Sequence, residues 1–360
     1  MADRVYNFNP GPATLPLPVL EKIKNELLDF QGTGMSILET SHRSPEFKKV
    51  HEDTKAIIRE TAGVSDDYHV LFAGAGASMQ FAMVALNFLS GGKSADYVNT
   101  GTWSKKAIKE AKIVGNVNIA ATSEDKNFTY IPKQYNFDPN AAYVHITTNN
   151  TIAGTQWMDF PDTGNVPLIA DMSSDIFCRR IDFTRFGMVY AGAQKNLGPA
   201  GVTVILLHKD LAEKAGGELN TMLKYGTYIE KDSMFNTPPC FAIYTVKLVL
   251  EWVKDQGGLG AVEKVNDKKQ SLLYGAIDES GGFYRGTTAK EDRSWMNATM
   301  RMGTEELEQT FIAEAKKQGL HGLKGHRSVG GIRVSMYNAM PLAGIEKLVG
   351  FMKDFQQKNG

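Results

Sequence analysis

Residues 188–201 read MVYAGAQKNLGPAG. The apolar run at the start of this segment ends at Gln194 and Lys195, and a Gly- and Pro-containing turn follows. Such a run predicts a strand buried on both faces, as in parallel sheets covered by helices. A lysine directly after a buried strand is unusual, because desolvation of an ammonium group is costly. The same desolvation favours the neutral, nucleophilic amine. A lysine whose ammonium reaches the surface is the alternative.

Similar apolar runs alternate with helical patterns from Tyr68 to Asp210. This alternation predicts an α/β fold in which a mostly parallel sheet lies between two layers of helices. Ligands of such sheets bind beyond the carboxyl ends of the strands, so the residues that follow each run are the candidates for a site. The runs are HVLFAG, DYVNTG, AAYVHITT, VPLIADMSS, MVYAGAQK and VTVILLHKD.

The domain organisation follows from the length of 360 residues and from a Gly-rich break after the helical pattern YTVKLVLEWVKDQGG. A chain of this length predicts two domains. We expect an extended arm over 1–15, a large domain over 16–257, and a smaller α+β C-terminal domain over 258–360.

The composition points away from several functional classes. Lys plus Arg (40) balances Asp plus Glu (40), so no global field favours nucleic acid or an anionic membrane. The two cysteines form no CxxC pair, which argues against a disulfide framework or a zinc site. We find no signal-peptide pattern and no long apolar span, and we therefore expect a cytoplasmic protein.

Four further run ends carry residues that are individually ambiguous. Gly76-Ala77-Ser78 precedes a helix and suits a phosphate, although such turns are also common for steric reasons. Trp103 offers a flat stacking face or ordinary packing, and Thr151 is most simply a turn hydroxyl. Asp171 ends a buried strand, where it either pairs with a cation such as a pyridinium or serves as a structural cap. Together with Lys195, these residues make up the inventory of a pyridoxal phosphate site.

Longer motifs extend this pattern over essentially the whole chain. AGAQKNLGPAG with DMSS before its lysine resembles the fold-type I, class V PLP-dependent aminotransferases, and specifically the phosphoserine aminotransferase family. The further matching segments are NFNPGPATLP, ETSHRSPEF, FAGAGASMQF, ADYVNTGTWS, FNTPP and LKGHRSVGGIRVSMYNAMP.

The resemblance implies a role for each cofactor-binding residue. Lys195 forms the Schiff base to pyridoxal 5'-phosphate, Asp171 pairs with the pyridine nitrogen, and Trp103 stacks on the ring. The remaining residues implied to bind the cofactor are Thr151 and Ser173 near the ring, Ala77, Ser78 and Gln194 at its phosphate, and Asn236 and Thr237 from the other subunit of a homodimer. Some members of the family have an arginine in place of Ser78, so the charge of the phosphate must be balanced differently here.

The substrate residues implied by the resemblance are cations. Arg333 binds the α-carboxylate, and two His-Arg pairs bind the substrate phosphate: His42 and Arg43 from the partner subunit, and His326 and Arg327. The sequence supports this assignment independently, because two His-Arg dipeptides occur in loop sequence in a chain with seven histidines. Arginine is also suited to two-pronged recognition of oxyanions. Solvated surface cations are the alternative.

The implied reaction is a ping-pong transamination in L-serine biosynthesis, from L-glutamate and 3-phosphohydroxypyruvate to 2-oxoglutarate and O-phospho-L-serine. The resemblance adds a second candidate substrate, 3-hydroxy-2-oxo-4-phosphonooxybutanoate of PLP biosynthesis, about which the sequence is silent. Two alternatives stay open. One is another fold-type I enzyme, such as an alanine–glyoxylate aminotransferase or a cysteine desulfurase, and the other is a catalytically silent scaffold.

Overall fold

The computed structural model describes residues 4–89 and 91–360. Its strands are β1 (Tyr6–Asn7), β2 (Tyr68–Ala73), β3 (Ser94–Asn99), β4 (Asn116–Thr122), β5 (Val144–Thr147), β6 (Asn149–Asn150), β7 (Thr155–Gln156), β8 (Leu168–Asp171), β9 (Met188–Gly192), β10 (Thr203–His208), β11 (Arg285–Gly286), β12 (Asn297–Arg301), β13 (Leu320–His321) and β14 (Ile332–Ser335). Its α-helices are α1 (Leu17–Glu26), α2 (Pro45–Ala62), α3 (Ala77–Phe88), α4 (Thr102–Val114), α5 (Lys209–Ala212), α6 (Tyr225–Glu230), α7 (Cys240–Asp255), α8 (Leu259–Asp278), α9 (Glu305–Lys317) and α10 (Leu342–Asn359).

A seven-stranded sheet of order β2-β10-β9-β8-β5-β3-β4 forms the centre of the molecule. The strands from β9 to β4 pair in parallel, whereas β10 runs antiparallel to both of its neighbours. The predicted α/β fold with a mostly parallel sheet is therefore confirmed. β10 is reversed because only residues 193–202 join it to β9, which is too few for a helical crossover.

Both faces of this sheet are buried, as the uninterrupted apolar runs predict. In β10, Val204 and Leu206 pack into the core shared with α2 and α7. Ile205 and Leu207 alternate with them and pack into the opposite core, which includes α3 and α4. The alternation follows from the strand geometry, in which successive side chains point to opposite faces.

Local sequence signals fix the ends of the helices that flank the sheet. α2 begins at Pro45, after Ser44 accepts a hydrogen bond from the Phe47 amide at 3.3 Å. The helix ends at Ala62 and is capped by Gly63, whose φ of 66° is left-handed.

The strand β4 is missing from the sequence prediction. It lies at the edge of the sheet, paired only with β3 among the described strands, and most of its side chains remain partly exposed. Its sequence, NVNIAAT, therefore lacks the continuous apolar run by which the other strands are predicted.

The C-terminal part forms a second, smaller layer. The sheet β11-β12-β14 is antiparallel, and it shares a core with α8, α9 and α10. α7 and α8 are separated by Gly257 and Gly258, both at positive φ, which is where the predicted boundary between 16–257 and 258–360 falls. The division itself stays a prediction.

The predicted arm over 1–15 is integrated into the fold, although residues 1–3 lie outside the described residues. β1 pairs in parallel with β13, and Phe8 is fully buried in the C-terminal core. The arm thereby ties the beginning of the chain to its last hundred residues. Across residues 4–89 and 91–360, no helix has the length and apolar character needed to cross a membrane.

Candidate active site

A pocket of about 430 Å³ opens at the carboxyl ends of the parallel strands. Its size is within the range of small-molecule sites. It brings together residues from the arm, the sheet, the start of two helices and the C-terminal layer. Its walls are formed by Pro10, Gly11, Ala75, Gly76, Ala77, Ser78, Phe81, Trp103, Thr147, Asn149, Thr151, Ile152, Asp171, Ser173, Ser174, Gln194, Lys195, His326 and Arg333.

Asp171 is the last residue of β8, and only 5% of its surface is exposed. Its Oδ1 accepts hydrogen bonds from the Ser173 hydroxyl at 2.6 Å and from the Ser173 amide at 3.0 Å. Within the part of the chain that the structure describes, Oδ2 receives no hydrogen bond. Burial raises the pKa of Asp171, opposed by the Ser173 hydrogen bonds and the charge of Lys195. The free oxygen of a buried carboxylate calls for a cationic or hydrogen-bonding partner in the pocket.

Lys195 follows the neighbouring strand β9 and faces the same pocket as Asp171. Burial lowers the pKa of Lys195, while the carboxylates of Asp171 and Asp175 act in the opposite direction. Gly11 of the arm lies against its side chain, and a Cβ at Gly11 would approach Lys195 Cγ to 3.3 Å. The lysine is therefore confined and poised toward the neutral amine, which is the nucleophilic form.

Trp103 lies in the first turn of α4 and forms the wall facing the lysine, with Lys195 Nζ at 5.6 Å from the ring centroid. Its indole N–H donates a hydrogen bond to the Thr151 hydroxyl at 3.1 Å. This bond fixes the plane of the ring. A flat ring held in one orientation is suited to stacking on a planar ligand.

The start of α3 supplies an anion-binding end to the pocket. Gly76 precedes the helix at a φ of 67°, a conformation that favours glycine. Among the described residues, no acceptor bonds the amides of Ala77 and Ser78, and both residues line the pocket. Free N–H groups and the helix dipole at this position favour a phosphate.

Arg333 approaches the pocket from β14 in the C-terminal layer. Only 7% of its surface is exposed, and its Nη1 donates to the Thr151 carbonyl at 3.0 Å. Burial lowers the pKa of Arg333. Among the described residues, the Thr151 carbonyl is the one acceptor bound by this guanidinium, so it retains N–H donors for an anionic ligand.

His326 lies near the tip of a turn that is closed by the Lys324–Ile332 bridge. Its Nδ1 lies 2.7 Å from the Ser328 hydroxyl. Arg301 supports the turn by donating from Nη1 to the Val329 carbonyl at 3.1 Å. The neighbouring Arg327 is exposed and does not line the pocket.

Besides Arg327, four predicted residues do not line this pocket: His42, Arg43, Asn236 and Thr237. Arg43, Asn236 and Thr237 are exposed, and His42 is partly exposed. All four carry roles that the resemblance assigns to the partner subunit. Their position outside the walls of this chain's own pocket is compatible with that assignment.

The wall residues that the sequence patterns do not single out are Pro10, Gly11, Ala75, Phe81, Thr147, Asn149, Ile152 and Ser174. Pro10 and Gly11 were assigned to an arm, and no local pattern indicates that the arm crosses the lysine. Asn149, which begins the short strand β6, lies two residues after β5, and Ser174 lies three residues after β8. The rule of strand ends could therefore have found both. Phe81 carries no such signal, because it resembles any apolar residue of α3.

The donor set of this pocket fits pyridoxal phosphate. The free oxygen of Asp171 suits a protonated ring nitrogen, the Trp103 face suits a planar ring, and the α3 amides suit a phosphate. Lys195 provides the amine that an aldehyde requires. Fold and pocket thus define the class of pyridoxal phosphate-dependent enzymes that hold the cofactor through a lysine.

Comparisons with known proteins agree with this class. The family model described as aminotransferase class-V matches residues 5–348. A phosphoserine aminotransferase from Desulfosudis oleivorans is 58% identical over 362 residues, covering 100% of both chains. The chain belongs to the phosphoserine aminotransferase family within the class V aminotransferases.

Solved structures are similar over the same length. A phosphoserine aminotransferase from Bacillus circulans subsp. alkalophilus has a TM-score of 0.98 and 52% identity, covering 100% of each chain. A PLP-bound phosphoserine aminotransferase from Trichomonas vaginalis has a TM-score of 0.92 and 34% identity, covering 97% of this chain and 100% of that one.

Proposed function

We propose that the protein transfers the amino group of L-glutamate to 3-phosphohydroxypyruvate, forming 2-oxoglutarate and O-phospho-L-serine, with pyridoxal 5'-phosphate as cofactor. The observation that carries the proposal is the convergence of Lys195 and Asp171, from adjacent parallel strands, on one pocket. The buried amine suits the aldehyde of this cofactor, and the free oxygen of the buried carboxylate suits its protonated ring nitrogen. The reaction places the protein in L-serine biosynthesis.

Each step of the proposed reaction depends on particular residues of the chain. When bound, pyridoxal phosphate supplies an aldehyde that condenses with amines and a ring that accepts electrons from the substrate's Cα. Lys195 would hold the cofactor through Nζ, and its amine would be the base for the Cα proton of the substrate. Asp171 keeps the ring nitrogen protonated, and Trp103 holds the ring plane. Thr151, Ser173 and Gln194 are proposed to complete the cofactor contacts, with Ala77 and Ser78 at its phosphate.

Recognition of the substrate is proposed to depend on cationic side chains around the opening of the pocket. Arg333 binds the α-carboxylate, and His326 and Arg327 bind the phosphate together with His42 and Arg43 of a second copy of the chain. Asn236 and Thr237 of that copy contact the cofactor phosphate. Three exposed apolar side chains in the segment that precedes His42 in the sequence favour an interface: Leu28, Met35 and Leu38 are 85%, 48% and 64% exposed. We therefore propose a cytoplasmic homodimer with sites at the subunit interface.

The absorption spectrum of the purified protein tests the cofactor and the reaction together. A visible band is expected from lysine-bound cofactor, and glutamate is expected to bleach it. 3-Phosphohydroxypyruvate should restore the band at concentrations at which 3-hydroxypyruvate does not. No visible band after incubation with the cofactor would overturn the cofactor assignment. Equal recovery with both oxo acids would remove the phosphate specificity and keep the aminotransferase.

A further inference from the structure

Lys106 lies one helical turn after Trp103 in α4, on the same face of the helix. Its Nζ is 4.4 Å from the centroid of the Trp103 ring, closer than that of Lys195. This distance is within the range of a cation–π contact. Lys106 is exposed and does not itself line the pocket, but this contact holds its ammonium against a ring that does.

Among the described residues, the charge of Lys106 is not neutralised by an ion pair. Its neighbour Lys105 pairs with Glu124, whereas no carboxylate of residues 4–89 and 91–360 lies within salt-bridge distance of Lys106. Partial burial lowers the pKa of His326, and the charges of Arg333, Arg327 and Lys106 lower it further. Lys106 thus acts on His326, a proposed substrate-binding residue that lines the pocket.

We propose that Lys106 is a further specificity-determining residue, a cation that attracts and contacts the phosphate of the oxo acid substrate. This inference rests on the proposed function and names a residue that it does not include. A dianionic phosphate gains more from an added positive charge than a neutral hydroxyl at the same position does. Lys106 therefore contributes to the preference for the phosphorylated substrate.

The test compares kcat/KM for 3-phosphohydroxypyruvate and 3-hydroxypyruvate, which differ only in the phosphate, in the cofactor-loaded enzyme. Lys106→Met is expected to lower the value for the phosphorylated acid about tenfold and to leave the other within about twofold. Lys106→Arg keeps the charge and should retain most of the preference. The dependence on salt should also become shallower in Lys106→Met.

Lys112→Met is the matched control, because Lys112 is exposed on the same helix and lies about 9 Å further along its axis. It should behave as the unmodified enzyme. Full preference for the phosphorylated acid in Lys106→Met would overturn the role of Lys106 and leave the proposed function intact. Equal losses with both acids, or a changed visible band, would also overturn it, since the lysine would then act only through the Trp103 ring. An unmodified enzyme without preference would overturn both proposals.

Discussion

The Thr151 hydroxyl accepts the indole N–H of Trp103 at 3.1 Å, and the carbonyl of the same residue accepts Arg333 Nη1 at 3.0 Å. One residue therefore orients the proposed stacking ring and the proposed carboxylate-binding arginine. The two bonds use different groups of Thr151, its side chain and its backbone, so a substitution can separate them.

Thr151→Val removes the bond to Trp103 and keeps the backbone carbonyl that orients Arg333. We expect the Kd of the cofactor to rise about fivefold to tenfold, because a net hydrogen bond contributes about 1 kcal/mol. The KM for glutamate should change little. Titration of the apoenzyme with pyridoxal phosphate measures the first quantity. Thr310→Val, on α9, is the control, and an unchanged Kd in Thr151→Val would show that the bond does not hold the ring.

Asp171→Asn retains the shape of the side chain and removes its charge. We expect kcat to fall about 10²- to 10³-fold, the range for loss of one group that stabilises charge in the reaction, because the ring nitrogen loses its anionic partner. The visible band should still form, since Lys195 and the α3 amides remain. Steady-state kinetics and the absorption spectrum separate the two effects. A variant of normal kcat would contradict the role of Asp171.

His145 makes stability depend on pH. Its Nε2 lies 2.9 Å from the Tyr190 hydroxyl, and burial lowers the pKa of His145 to about 3. Below its ordinary pKa of about 6.5, the unfolded chain takes up a proton that the native state does not. The contribution of His145 to the free energy of unfolding is therefore complete above about pH 6.5, and it is lost as the pH falls toward the pKa of His145 in the folded protein. The expected loss between pH 7.5 and 5.5 is about 1.4 kcal/mol.

His145→Gln should remove this component, because glutamine does not titrate and can still bond to Tyr190. Urea unfolding at the two pH values measures this. The quantity compared is the difference in the free energy of unfolding between the variant and the unmodified protein at each pH. His321→Gln, at a partly exposed histidine, provides the reference. Parallel pH dependences in His145→Gln and the unmodified protein would contradict the prediction.

Lys269 is fully buried and donates to three backbone carbonyls, those of Met336, Tyr337 and Met340, at 3.0, 2.8 and 3.2 Å. It holds α8 to the segment that follows β14. Lys269→Met removes this donor from the Met336 and Met340 carbonyls, whereas the Tyr337 carbonyl still accepts from the Met340 amide at 2.9 Å. We expect a loss of about 3 kcal/mol or more in the free energy of unfolding. Thermal or urea unfolding measures this. Lys268→Met, at the exposed neighbouring lysine, is the control and should change the free energy of unfolding by less than about 0.5 kcal/mol.

The sequence alone was sufficient for the fold class and for the residues at strand ends. Apolar runs such as VTVILLHKD imply strands buried on both faces, and the rule of strand ends then selects Asp171 and Lys195. The edge strand β4 was missed because partial exposure gives it a mixed composition. Arg327 is exposed and does not line the pocket of this chain. Its proposed role in binding the substrate phosphate therefore depends on contacts that the pocket of a single chain does not provide.

Tertiary structure decided the contacts between distant segments. Gly11 lies against Lys195, and Thr151 joins Trp103 to Arg333, although these residues are far apart in the chain. Local patterns report only which face of an element is buried, because period and composition reflect burial and not the identity of the neighbour. Which residues meet is determined when the sheet, the arm and the C-terminal layer pack against one another. The chemistry of the site was therefore encoded in single residues, and its geometry in their packing.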